Sequence, residues 1–331
     1  MMSSSLMICS TLVAVAVVQS ASRAAEPLRA GIIGCDTSHV IVFTELINAP
    51  DATGPRADVQ VVAAFPGGSD DIPASKDRVP GFVEQLRGMN VEIVDSIEDL
   101  LTKVDVVLLE SVDGRPHLEQ VRPVFAAGKR VFIDKPLAGS LADAVKIAEL
   151  AKEHNAVWFS CSSMRYGRPA TALAADATIG EITGCSVYAP GVIEPHHPDL
   201  FWYGVHGTEI LFTLMGPGCE SVTRVKTDGA DLVVGVWKDG RIGTFRGIRE
   251  GRHDYGATLF GTKGIVTSAG APDGYGPLVD EICKFFVTGK APLEPEITLE
   301  LFAFMEAADE SKRTGGGPVR IDATLKAAGV K

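Results

Sequence analysis

Basic charge is what this chain has least of. Lys and Arg number 31 against 42 Asp and Glu, a formal net charge of −11 at pH 7. A nucleic-acid partner requires a basic stripe to neutralise phosphates, and none is present. The same deficit argues against docking on an anionic membrane surface. Paired cysteines are missing too. Beyond Cys9 there are five (Cys35, Cys161, Cys185, Cys219 and Cys283), an odd number with no C-x-x-C spacing. They read as small buried hydrophobes, with neither a disulfide framework nor a zinc motif among them. Internal repeats, charge blocks and low-complexity linkers are absent as well. The one conspicuous apolar run, from Leu6 to Val18, is shorter than the ~20 residues that span a bilayer. It has the length of a signal-peptide core, and the small residues Ser22 and Ala24 suit cleavage near Ala24/Ala25. Export to a periplasmic or extracellular location is therefore expected, although neither a basic start nor a twin arginine precedes the run.

What is present is enough for two packed domains. The chain has 331 residues, 46% of them hydrophobic, at the usual ~100–200 residues per domain. From Leu28 to Ser160 strand and helix signals alternate: strands at 28–33, 59–65, 91–94, 104–109, 131–133 and 157–160, with helices at 40–47, 82–86, 118–127 and 141–154. That alternation predicts a doubly wound parallel sheet with helices on both faces. Gly128 should close one helix and Ser140 should cap the next. After Arg165 the strands lengthen, and Lys238-Asp239-Gly240 marks a hairpin turn. A helix over 208–215 and two amphipathic helices over 277–287 and 297–313 complete the pattern. The fold class is thus α/β: a Rossmann domain over 26–160, after a signal over 1–25, and an α+β domain over 161–331 with an open, mainly antiparallel sheet.

A strand–turn–helix at 28–47 is where such a domain holds a dinucleotide, with the pyrophosphate on the helix N-terminus. The text here is GIIGCDTSHV. Gly31 and Gly34 are in place, but the later glycines of G-x-G-x-x-G give way to Asp36-Thr37-Ser38-His39. A carboxylate at Asp36 would repel a pyrophosphate unless it points away, and Asp36, Thr37 or Ser38 could equally cap the helix. After the second strand, Gly67, Gly68 and Ser69 could offer amides and a hydroxyl to a ribose, and Asp70 or Asp71 could bind its 2′-hydroxyl. A plain surface turn accounts for the same letters.

DVVLLESVDGRPHLEQVRPVF, FAAGKRVFIDKPLAGSLADAVKIAELA, GEITGCSVYAP, DLFWYGVHGTEILFTLMG, LFGTKGIV and EAADESKRTGGGPV occur in that order along the chain. Together they resemble the landmarks of the Gfo/Idh/MocA family, which includes glucose–fructose oxidoreductase and inositol dehydrogenase. The resemblance implies NAD or NADP as cofactor and oxidation or reduction of a hydroxyl or keto group on a sugar or polyol. It places the family's Glu-Lys-Pro on Asp134-Lys135-Pro136 and the nicotinamide-side motif on Ser111 and His117. Gly34, Cys35, Asp36, Thr37, Ser38, His39, Gly67, Ser69 and Arg165 complete the expected cofactor side. Its D-x-G-x-H-x-x-D motif falls so that His206 is the histidine, Trp202 stands at the first aspartate and Glu209 at the last.

Two of these residues have a chemical case of their own. Hydride loss from a carbinol requires its hydroxyl proton to leave concurrently, so a base must reach the oxygen. A partly desolvated lysine such as Lys135 suits that task, and His206, titrating near neutrality, could share it. Tyr203 could supply a phenol in place of the missing aspartate. His196, His197 and Trp202 would then line the substrate cleft. An alternative places a divalent metal on His196, His197 and His206 in a non-redox lyase or hydrolase, or makes the chain a sugar-binding protein. The EPHHPD spacing is not that of a helical H-E-x-x-H motif, so no metal is expected. A homo-oligomer through the C-terminal sheet is expected.

Overall fold

The computed structural model describes residues 26–270 and 274–330; the expected signal segment lies outside them. In the first half the chain forms β1 (Leu28–Ile33), α1 (His39–Ile47), β2 (Val59–Phe65), α2 (Pro73–Lys76), α3 (Val79–Gly88), β3 (Glu92–Ile93), α4 (Ile97–Lys103), β4 (Val106–Leu109), α5 (His117–Ala126), β5 (Arg130–Ile133), α6 (Leu141–Glu153) and β6 (Trp158–Phe159). The six strands are parallel in the order β3-β2-β1-β4-β5-β6. The order reverses between β1 and β4, and the carboxyl ends flanking that reversal are where doubly wound sheets bind ligands. Local signals account for the helix ends. Ser96 accepts a hydrogen bond from Asp99 N and Ser140 one from Asp143 N, while Gly128 at φ 65° follows α5.

The second half adds α7 (Arg168–Ala174), β7 (Ile182–Pro190), α8 (Gly204–Met215), β8 (Cys219–Lys226), β9 (Ala230–Trp237), β10 (Ile242–Ile248), β11 (Gly256–Gly261), β12 (Ile265–Ala269), α9 (Gly276–Thr288), α10 (Pro295–Arg313), β13 (Val319–Arg320) and α11 (Ile321–Ala327). Its seven-stranded sheet has the order β12-β11-β7-β10-β9-β8-β13, antiparallel except where β10 runs parallel to β7. Helices α8 and α10 cover one face, with Phe212, Phe245, Phe304 and Trp237 packed between the layers. The other face is bare: Val225, Leu232, Val236, Ile242 and Ile265 are all exposed.

The boundary expected at residue 160/161 separates the two sheets but not the two cores. Helix α9 returns to the first domain, where Leu278, Val279, Ile282, Phe285 and Phe286 join Phe43, Phe132 and Phe159. Arg56 fastens it through Asp280 at 2.7 and 2.9 Å. A helix so fastened makes the domains one packed body at that seam. All five described cysteines are unpaired and buried. Cys35 is one of these, its thiol pushed up to about 12 by burial and by the Asp36 and Glu110 carboxylates, which leaves it unreactive.

Candidate active site

The cleft between the domains holds a cavity of about 260 Å³. Its walls come from both sides. The turn before α1 gives Thr37, Ser38 and His39; the loop after β5 gives Lys135; the start of α8 gives Trp202, Tyr203 and His206; Tyr255, Tyr275 and Arg78 close the rim. Lys135 and His206, 71 positions apart in the chain, thus face one volume.

His206 is held by Ser162, whose hydroxyl lies 2.6 Å from Nδ1. Met164 N donates to that same hydroxyl; with the Ser162 proton directed to Nδ1, the proton of the neutral ring stands on Nε2. Burial, reinforced by the charges of Lys135 and His39, pushes the His206 pKa well below its ordinary value. That corrects the expectation that it titrates near neutrality: it stays a neutral hydrogen-bonding ring. The Tyr203 ring meets it edge-on at 5.3 Å.

The glycine turn explains how an altered fingerprint keeps its shape. Gly34 has φ 89°, and a Cβ there would come within 2.6 Å of the Ser111 backbone, so only glycine fits. Asp36 is fully buried and aims inward, its carboxylate accepting hydrogen bonds from Val112 N (2.8 Å) and the Ser75 hydroxyl (2.6 Å). The charge therefore points away from the groove. Ser38 makes no side-chain capping hydrogen bond; Thr37 Oγ1 accepts from His39 N at 3.4 Å, and this start of α1 lies beside the cavity. A helix start at a sheet's switch point, with Arg78 on the rim, fits the phosphates of a dinucleotide.

Several expected site residues serve elsewhere. Ser111 donates to Gln120, and the His117 ring lies between the Leu137 and Ser111 carbonyls at 3.1 and 2.8 Å. Burial lowers the His117 pKa, so it tethers a loop as a neutral ring. Asp134 bonds to His39 Nδ1 at 2.6 Å. Gly67 packs on Gly34, and Ser69 donates to Asp113 at 2.6 Å. Pro136 follows Lys135 through a cis peptide bond.

Arg165 does not line the cavity; its guanidinium pairs with Glu209 at 2.5 Å behind it. Glu209, at the family's last aspartate, also accepts from Ser162 N and so supports the His206 clamp from below. His196 and His197 stand apart from the substrate wall expected for them. His196 turns to Glu194 at 2.7 Å, and His197 lies between Glu194 and Asp113 at 2.8 and 3.0 Å. Neither shares a cluster with His206, and among the described residues the one group able to hold a metal is His39, Glu110 and Asp134. Glu110 escaped the sequence reading because VVLLES reads as an ordinary buried strand end. Arg78, Tyr255 and Tyr275 were missed as well, since only folding brings them to the rim.

Residues 28–161 match the family model described as "Oxidoreductase family, NAD-binding Rossmann fold". No curated protein matches the sequence. Among solved structures, a probable dehydrogenase from Thermotoga maritima is 20% identical with a TM-score of 0.74, covering 90% of this chain and 100% of its own. A scyllo-inositol dehydrogenase from Lactobacillus casei, with NAD(H) and scyllo-inositol bound, is 14% identical with a TM-score of 0.70, covering 90% and 100%. An oxidoreductase from Agrobacterium radiobacter, in complex with NAD+, L-tartaric acid and magnesium, is 15% identical with a TM-score of 0.68, covering 89% and 99%. These likenesses establish a common two-domain fold. Over residues 28–161 the Rossmann domain of this chain matches the Gfo/Idh/MocA oxidoreductase family model.

Proposed function

We propose that this protein is an NAD(P)-dependent oxidoreductase acting on a CH–OH group of a sugar, polyol or derivative. The observation that carries the reading is the meeting of Lys135 and His206, one from each domain, in the cavity beside the start of α1. When bound, the nicotinamide cofactor accepts or donates the hydride. The protein supplies the rest. Amides of the α1 first turn and Arg78 receive the phosphates. The Lys135 amine takes the hydroxyl proton as the carbinol is oxidised and returns it in the reverse direction. Neutral His206 donates Nε2–H to a substrate hydroxyl, fixing its orientation toward Lys135. Trp202 and Tyr203 give the ring faces on which a sugar stacks, and together with Tyr255 and Tyr275 they limit water.

Calorimetric titration with NAD+ and NADP+, alongside extraction of any retained nicotinamide from denatured protein, tests the reading. One equivalent of dinucleotide per chain is expected. A protein that neither binds nor carries it is not an oxidoreductase of this kind.

The bare face of the C-terminal sheet suggests a second copy as its cover. Val225, Leu232, Val236, Ile242 and Ile265 are 37–67% exposed there, an apolar patch of the sort that marks interfaces. Light scattering should give a dimer or larger assembly, and Ile242→Asp should shift it toward monomer. A monomeric wild type would refute this arrangement.

A further inference from the structure

At the carboxyl edge of the parallel sheet, beneath the cavity, three side chains converge from three rigid elements. His39 opens α1, Glu110 follows β4 and Asp134 follows β5. One donor atom from each lies within 4.8 Å of the other two. All are buried: Glu110 is 0% exposed, Asp134 1% and His39 7%.

His39 is bonded at both ring nitrogens, Nδ1 to Asp134 Oδ2 at 2.6 Å and Nε2 to the Tyr275 hydroxyl at 3.1 Å, but three oxygens of the group are unspent. Both carboxylate oxygens of Glu110 and Oδ1 of Asp134 are buried without a hydrogen-bond partner. A carboxylate in that condition costs several kcal/mol unless it is paired, protonated or bound to a cation. The surroundings do not supply enough positive charge. Lys135 faces the group, but Asp36 adds a third acid to Glu110 and Asp134. Asp36 already has its own donors in Val112 N and Ser75, and nearby His206 is a neutral ring. One lysine against three carboxylates leaves room for a dication.

We propose that His39, Glu110 and Asp134 form a binding site for one divalent first-row transition-metal ion. One imidazole nitrogen and two carboxylates suit Mn2+, Fe2+, Co2+ or Zn2+ better than all-oxygen cages for Ca2+ or thiolate sites for softer ions. Ligands ~2.0–2.2 Å from a shared centre stand at most ~4.4 Å apart, so donors that already lie within 4.8 Å of one another need only close in slightly around the ion. The ion would take the place of the proton between His39 Nδ1 and Asp134 Oδ2. Access runs through the cavity, since His39 is one of its walls. This replaces the sequence expectation that the protein holds no metal, and the location is not the EPHHPD loop. The site stands independently of the dinucleotide reading, because neither its ligands nor its test requires NAD.

The test uses the full chain stripped with a chelator, then titrated separately with Mn2+ and Zn2+ by calorimetry, with the Mn2+ paramagnetic signal as a second readout. One equivalent should bind. Glu110→Gln and His39→Gln should each weaken binding by ~100-fold or more, since loss of a ligand exceeds the ~10–100-fold cost of losing an outer partner. Glu110→Gln preserves shape while removing a buried acid, so the fold should survive, as circular dichroism will show. Replacing His196 and His197 together should leave the affinity unchanged. Absence of stoichiometric binding by the wild type overturns the proposal whatever the variants do. Equal affinity in wild type, Glu110→Gln and His39→Gln also overturns it.

Discussion

Lys135→Ala is expected to lower turnover by ~10²–10⁴-fold, the range for a lost general acid–base group. The argument rests on position. Lys135 stands at the carboxyl edge of the sheet just past β5, in a loop whose Leu137 carbonyl approaches His117 Nδ1 at 3.1 Å. It faces the same cavity as His206. His206, being neutral and fixed by Ser162, can orient a hydroxyl but is a poor proton store. On the proposed mechanism, loss of Lys135 removes the group that carries the proton, and kcat should fall more than KM rises. Lys135→Arg keeps the charge but not the amine that would take the proton, so it should not restore turnover. Steady-state rates with NAD(P)+ over a panel of polyols and sugars, with calorimetry on each variant, give the measurement. Near-normal kcat in Lys135→Ala would remove this residue from the mechanism.

The second large effect concerns stability. Arg224 on β8 is fully buried and binds three carboxylates: Asp231 through Nε at 2.9 Å, Asp199 through Nη2 at 2.9 Å, and Asp309 on α10 through Nη1. Arg249 shares Asp231, while Lys226 and Lys312 share Asp199. The cluster ties the sheet to α10 and to the loop before α8. Arg224→Ala leaves Asp309 without its ion-pair partner and Asp231 with Arg249 alone, and breaking a buried pair in this way costs ~3–5 kcal/mol. At ~2–4 °C per kcal/mol for a chain of this general size, the thermal midpoint should drop by roughly 10 °C.

The pH dependence has a definite sign. Burial raises the Asp199 pKa, but Lys312, Arg224 and Lys226 outweigh it and hold the value at about 2. A carboxyl depressed in the folded state contributes stability above its unfolded pKa and loses it as pH falls toward the folded one. Burial raises Asp309 to about 6 against the pull of Arg224, so the gap between variant and wild type should narrow first as pH falls toward 6 and again as it drops from ~4 toward 2. Denaturant unfolding across that range checks it. A variant equal to wild type at pH 7 would mean that the cluster contributes no net stability.

The parallel sheet was legible in the letters because strand, turn and helix signals are local. Ser140 caps α6 and Gly128 follows α5, as their positions alone predict, and Lys238-Asp239-Gly240 lies between β9 and β10. The landmark stretch around Lys135 pointed to the cleft, since its residues are contiguous. The short helices α2, α4, α7 and α11 were missed: each has four to seven residues, too few for an apolar period to stand out.

What the sequence by itself determined is the order of elements, the place of the glycine turn and the presence of a lysine after the fifth strand. These depend on neighbours a few positions away. Only the tertiary structure decided that Asp36 turns inward, that α9 crosses back to the first domain and that Glu110 meets His39 and Asp134. It also decided that His197 pairs with Asp113, 84 positions away. Each depends on which distant element arrives opposite a side chain, and hence on whether water, a counter-charge or an apolar wall surrounds it. Burial and charge pairing are properties of that arrangement, and no local run of residues encodes them.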